Sequence, residues 1–98
     1  MKLYTIRRRN GWQTPEDLQA AAGRSRRIGD DEMPADVRWI RSYVVAEDDG
    51  SLGTVCVYQA SSPEKLREHA TRVGMPADEI NEVLDTVFVR PDPVAVAA

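Results

Sequence analysis

Thr14-Pro15-Glu16-Asp17-Leu18 and Ser62-Pro63-Glu64-Lys65-Leu66 are two versions of one signal, set about half the chain apart. Each offers a hydroxyl side chain as a helix N-cap and a proline at the first helical position, where its absent N–H costs nothing. Each also places acidic charge at the positive end of the helix dipole. Both copies follow an apolar, strand-like run. Working outward, the chain reads as strand–helix–strand twice over. That order predicts one α+β domain over residues 1–90 with ferredoxin-like βαββαβ topology: a four-stranded antiparallel sheet with two helices on one face. Residues 91–98, with Pro91 and Pro93, are expected to form a C-terminal tail, either disordered or crossing to another subunit.

The first strand is expected over Leu3 to Arg8, ended by Asn10-Gly11. Leu18, Ala21, Ala22 and Ser25 keep helical spacing and make a stripe of small residues able to lie close on a sheet. Residues 28–36 carry Gly29, Pro34 and the acidic run Asp30-Asp31-Glu32, which predicts a loop. Val37 to Ala46 is rich in β-branched and aromatic residues. Asp49-Gly50 signals a hairpin, and Leu52 to Ala60 returns antiparallel. Ser61 and Ser62 precede the second helix, where Ser61 and Glu64 have capping-box spacing. Leu66, Ala70 and Val73 form its apolar stripe, and Gly74 suits its C-cap. The last strand is expected from Ile80 to Val89.

Ninety-eight residues suit one domain with a modest core. The formal net charge of −3 argues against general binding to nucleic acid or to an anionic membrane. An RNA-recognition motif shares this element order, and Leu3-Tyr4-Thr5-Ile6 faintly fits its first strand. Gly53-Thr54-Val55-Cys56-Val57-Tyr58, however, lacks the paired stacking aromatics of its third. No run approaches the ~20 apolar residues of a transmembrane helix. A lone cysteine, Cys56, suits a reducing compartment, and the expected location is the cytoplasm. Arg7-Arg8-Arg9 and the group Arg24, Arg26 and Arg27 read as solvated faces paired with carboxylates.

Strict alternation along the central hairpin puts Ile40, Ser42, Val44, Val55 and Val57 beneath the helices. It puts Trp39, Arg41, Tyr43, Cys56 and Tyr58 on the uncovered face, unless a bulge inverts the phase. An uncovered aromatic face points to a partner or ligand surface, either a homodimer interface or a pocket between two such faces. His69 is the one histidine; it precedes Ala70 of the apolar stripe, so it points partly inward. Cys56 reads either as a small buried hydrophobe or as a thiol activated by Arg41 on the neighbouring strand. One His and one Cys, with no C-x-x-C or H-x-x-x-H spacing, make a metal cluster weakly supported.

A longer pattern runs through Trp39-Ile40-Arg41-Ser42-Tyr43, Cys56-Val57-Tyr58-Gln59-Ala60, Ser62-Pro63-Glu64 and Arg67-Glu68-His69-Ala70. It continues through Gly74-Met75-Pro76-Ala77-Asp78 to Ile80-Asn81-Glu82-Val83. It resembles a bacterial family of small ferredoxin-like domains of unknown function, one member of which is described as nickel-binding and nickel-responsive. The resemblance covers roughly Leu3 to Val89. It implies a dimeric ferredoxin-like fold and admits metal binding. Only His69 matches a plausible ligand type, so no metal site is carried over. The expected ligand-binding set is Trp39, Arg41, Tyr43, Cys56, Tyr58 and His69. The expected function is a small cytoplasmic homodimer that binds a small molecule or a metal ion, without nucleic acid or membrane partners and with its cofactor unknown. The alternatives are a cofactor-free enzyme of the dimeric α+β barrel type, isomerase- or monooxygenase-like, and a purely structural interaction module.

Overall fold

The computed structural model describes residues 1–94; the last four residues of the expected tail lie outside the described residues. Among the described residues there are four strands: β1 (Lys2–Trp12), β2 (Val37–Ala46), β3 (Leu52–Ala60) and β4 (Glu79–Glu82). They pair in the order β2-β3-β1-β4, every neighbouring pair antiparallel. Helices α1 (Pro15–Arg27) and α2 (Pro63–Val73) supply the two crossovers. Two interleaved strand–helix–strand units therefore make a ferredoxin-like α+β fold.

The repeated signal acts as its chemistry dictates. Thr14 Oγ1 accepts from the Asp17 N–H at 3.1 Å, and Ser62 Oγ accepts from the Lys65 N–H at 3.3 Å. Ser62 is therefore the cap of α2, and the expected Ser61–Glu64 capping box does not form. Ser61 instead donates to Asp36 Oδ1 at 2.8 Å and ties the start of β2 to the end of β3. Gly74 ends α2 at φ 82°, a conformation that spares glycine the Cβ clash. The expected loop after α1 begins instead as a π-helical turn, Ile28–Glu32, closed by Met33 N–H on the Ile28 carbonyl at 3.0 Å. Ile28 and Met33 are both buried in the core there, which holds the wide turn in place.

Two bulges set the sheet. Asn10-Gly11 does not end β1. Asn10 takes a positive φ of 51°, and the strand resumes to pair Trp12 with Leu52. The β2–β3 turn clamps this bulge: Glu47 accepts from the Asn10 N–H at 2.7 Å and from Arg7 Nη2 at 2.7 Å. The second bulge falls between Trp39 and Arg41, where the register with β3 shifts. It puts Trp39 opposite Tyr58 and Ser42 opposite Cys56, and leaves Arg41 opposite Val57 and Tyr43 opposite Val55.

The faces therefore differ from strict alternation. Tyr4, Ile6, Cys56, Tyr58 and Ala60 are buried in the core with Leu66 and Val73 of α2. Trp39 packs against that core from β2. The expectation that Trp39, Cys56 and Tyr58 lie on the bare face is thus corrected: one extra residue at Ile40 turns Trp39 inward, and β3 runs in the opposite phase. Ile40, expected beneath the helices, is 49% exposed. Tyr43 does stay on the uncovered face. The last strand is also shorter than expected, because β4 pairs with β1 only from Glu79 to Glu82. Beyond the Val83 N–H bond to the Leu3 carbonyl, Leu84, Val87, Phe88 and Val89 are exposed.

At Gly53 the neighbouring strand leaves no room for a side chain. A Cβ there would lie 2.6 Å from the Arg8 carbonyl oxygen and 2.7 Å from Arg7 Nη1, and would also meet Glu47 Oε2. Gly53→Ala is expected to cost about 1–3 kcal/mol through overpacking against backbone. Urea denaturation measures it as a lower midpoint at unchanged slope.

Candidate functional site

Helix α1 is seated on small residues. Only Ala21 and Ser25 of that helix are buried, and neither fills the space over the β2–β3 half of the sheet. What remains is an apolar cleft of about 250 Å3 between helix and sheet. Leu18, Gln19 and Ala22 form the helix wall, and Trp39, Val44, Cys56 and Tyr58 the sheet wall. Ser25, Ser42 and Thr54 add hydroxyls to the lining, and Trp12 and Met75 also border it, so both tryptophans of the chain face this space.

One charged side chain belongs to the same wall. Arg8 lines the cleft and is 1% exposed. Its Nε donates to the Pro76 carbonyl at 2.6 Å, and its Nη1 donates to Cys56 Sγ at 3.1 Å. The guanidinium carbon lies 5.8 Å from the centroid of the Tyr58 ring, within cation–π range. Nη2 has no hydrogen-bond partner. None of the ion pairs among the described residues involves Arg8. Its charge is buried and met only by neutral or weak acceptors, an arrangement that is costly unless something else compensates it.

Tyr58 joins the pieces. Its ring stacks on Trp39 at 6.2 Å and 12°, and its hydroxyl shares a 3.0 Å hydrogen bond with Ser25 of α1. Burial pushes the hydroxyl pKa above its ordinary value, so it stays a neutral phenol. Cys56 Sγ also donates to Thr54 Oγ1 at 3.3 Å.

His69 is 1% exposed and packs on Tyr58, ring centroids 5.7 Å apart. Its Nε2 lies 2.9 Å from the Ser25 carbonyl. A carbonyl only accepts, so Nε2 carries the proton and the neutral ring leaves Nδ1 as an acceptor. Nδ1 is buried without a partner. Burial lowers the His69 pKa, the bond to the Ser25 carbonyl opposes that, and Arg8 and Arg72 add to the lowering.

The expected ligand-binding set thus divides. Trp39, Cys56 and Tyr58 meet in the cleft. His69 lies against Tyr58 and is absent from the cleft lining. Arg41 and Tyr43 lie across the sheet: the Arg41 guanidinium is 5.7 Å from the Tyr43 ring, and Tyr43 donates to Asp92 Oδ2 at 2.7 Å. The bond to that carboxylate holds the Tyr43 hydroxyl pKa above its ordinary value. The reading as a surface array missed Arg8, Trp12 and the α1 wall. Arg8 keeps the phase of Tyr4 and Ile6, a signal hidden by its place in an arginine run. Among the described residues, no three His, Cys, Asp or Glu side chains converge as a metal site would require.

Because the folded-state His69 pKa is lowered, the unfolded chain protonates first as pH falls. The stability this neutral ring confers is therefore complete above its ordinary value of 6.5 and is lost progressively below it. Thermal midpoints are expected to fall between about pH 7 and 5. His69→Gln keeps an N–H donor but does not titrate, and is expected to flatten that part of the profile.

Residues 4–83 match the family described as "Nickel responsive protein SCO4226-like", and the chain belongs to that family. A solved structure of similar fold is that of SCO4226 from Streptomyces coelicolor A3(2). It matches with a TM-score of 0.69 at 23% sequence identity, over 87% of this chain and 99% of that one. No curated protein matches the chain in sequence.

Proposed function

Within the SCO4226-like family, we propose that this chain is a small-molecule-binding protein whose ligand lies in the cleft between α1 and the sheet. The carrying observation is the cleft itself, 250 Å3 of space bordered by Trp12, Trp39, Leu18 and Met75. Ligand sites are concave and mostly apolar, with few polar groups, and this one has that composition. An apolar cavity of ~150 Å3 admits benzene, so this space suits a molecule of one ring and a short substituent. Among the described residues, the wall holds no carboxylate and no imidazole. That favours holding a molecule over moving its protons.

The family description makes nickel the ion to consider. The side chains of this chain fit it poorly. Nickel is well served by imidazole, yet the one histidine is buried with Nε2 committed to the Ser25 carbonyl. The one thiol is bonded to Arg8 and Thr54. We therefore assign no step to a metal ion. The proposal places the protein in the cytoplasm as a homodimer. The exposed Ile40 and Tyr43 and the uncovered Phe88 and Val89 support self-association.

The test uses cyclohexylmethanol, which is neutral, transparent and small enough for the cleft. Because both tryptophans border the site, their emission is expected to change saturably on titration. Ala22→Phe, which projects a ring from the helix wall, is expected to abolish the response and keep the wild-type thermal midpoint. A flat wild-type titration to the solubility limit contradicts the proposal.

A further inference from the structure

Resting on the cleft as the binding site, we infer that its ligand is a monoanionic carboxylate, an apolar ring or short chain carrying one carboxyl group, and that Arg8 recognises that group. Arg8 Nη2 is a buried donor nitrogen without a partner, on a side chain that lines the cleft. The other polar groups of the wall are largely satisfied by one another: Trp39 Nε1 donates to Ser42 Oγ at 2.8 Å, and Ser25 and Tyr58 share their hydroxyls. Gln19 of the helix wall is exposed, so water meets its amide, and the buried unmet capacity of the wall is concentrated on one cation.

The charge count sets the class. Arg8 is a cation whose bonds go to the Pro76 carbonyl and the Cys56 sulfur, neither of which cancels its charge. A carboxylate supplies the absent negative charge and accepts charge-assisted hydrogen bonds from Nη2. A phosphate monoester is a poorer match. It brings up to two negative charges and three acceptor oxygens into a space with one cation and apolar walls. A neutral molecule fills the volume but leaves Nη2 unsatisfied. The bonds from Nε and Nη1 hold the guanidinium plane before the ligand arrives, so little ordering remains to oppose binding.

The experiment compares cyclohexanecarboxylate with cyclohexanecarboxamide, near-isosteres that differ in charge, by calorimetry at pH 7. The carboxylate is expected to bind on the order of tenfold tighter or better, as for a hydrogen bond to a charged group. Arg8→Met keeps the length of the side chain and removes the charge. It is expected to erase the preference while the carboxamide still binds. Should that variant fail to fold, the arginine side-chain 15N spectrum of the wild-type protein decides. One buried guanidinium is expected to shift with the carboxylate and stay unmoved by the carboxamide. Equal binding of both ligands, or a carboxylate preference that survives in Arg8→Met, overturns the assignment to Arg8 and leaves the cleft intact as a site. An unmoved guanidinium in the presence of bound carboxylate does the same. Binding of neither ligand overturns the cleft and this inference together.

Discussion

A positive charge without a counter-charge lies at the centre of this molecule, and much of the structure is arranged around it. Arg8 points inward from β1, one of the two central strands of the sheet. Burying a guanidinium costs several kcal/mol unless its donors are met and its charge is balanced. Here the donors are partly met. The loop after α2 contributes the Pro76 carbonyl, β3 contributes the Cys56 sulfur, and the Tyr58 ring lies within cation–π range. Two separate parts of the chain, β3 and the loop after α2, thus converge on one side chain. A protein selected for stability alone would place a methionine or leucine here, since such replacements of buried charge are often neutral or stabilising. Local rules are commonly broken where a site needs it.

Tyr58 carries the next link. It connects the sheet to α1 through Ser25 and to α2 through His69, while Trp39 stacks on its ring. Ser25 serves twice, its hydroxyl on Tyr58 and its carbonyl on His69. The helices are thereby registered to each other and to β3 by polar contacts as well as by apolar packing. Because α1 meets the sheet through Ala21 and Ser25, the helix stops short of filling the β2–β3 side. The cleft is thus a direct result of the small-residue stripe.

Much of this was legible in the sequence, and the failures have physical causes. The two cap-and-proline signals fixed the helix starts because the chemistry of a first turn is local. The central hairpin came from β-branched and aromatic runs about an Asp-Gly turn, and its two strands have the expected bounds. Facing was less accessible. Side-chain direction has a period of two, so the single extra residue at Ile40 puts Val37 and Trp39 out of phase with Arg41 and Tyr43. The inversion hid the burial of Trp39, Cys56 and Tyr58 and suggested a surface site in place of an internal one. The Asn10-Gly11 bulge looked like an end because its clamps, Glu47 and Asp49, come from a distant turn. Arg8 was passed over because arginine runs are usually solvated. Yet its spacing from Tyr4 and Ile6 already marked the inward phase. The same run divides by alternation: Arg7 pairs with Glu47 at 2.7 Å, Arg9 pairs with Glu79 at 2.8 Å, and Arg8 turns in.

The account reduces to whether an anion completes Arg8. The most direct measurement is a crystal structure of the protein grown with 4-bromobenzoate, whose bromine reports its position by anomalous scattering. The account predicts one bromine peak inside the cleft near Trp12, Trp39 or Met75, with the carboxylate on Arg8 Nη2. A bromine peak elsewhere on the molecule with the cleft empty, or a bound molecule whose carboxylate faces solvent away from Arg8, would contradict it.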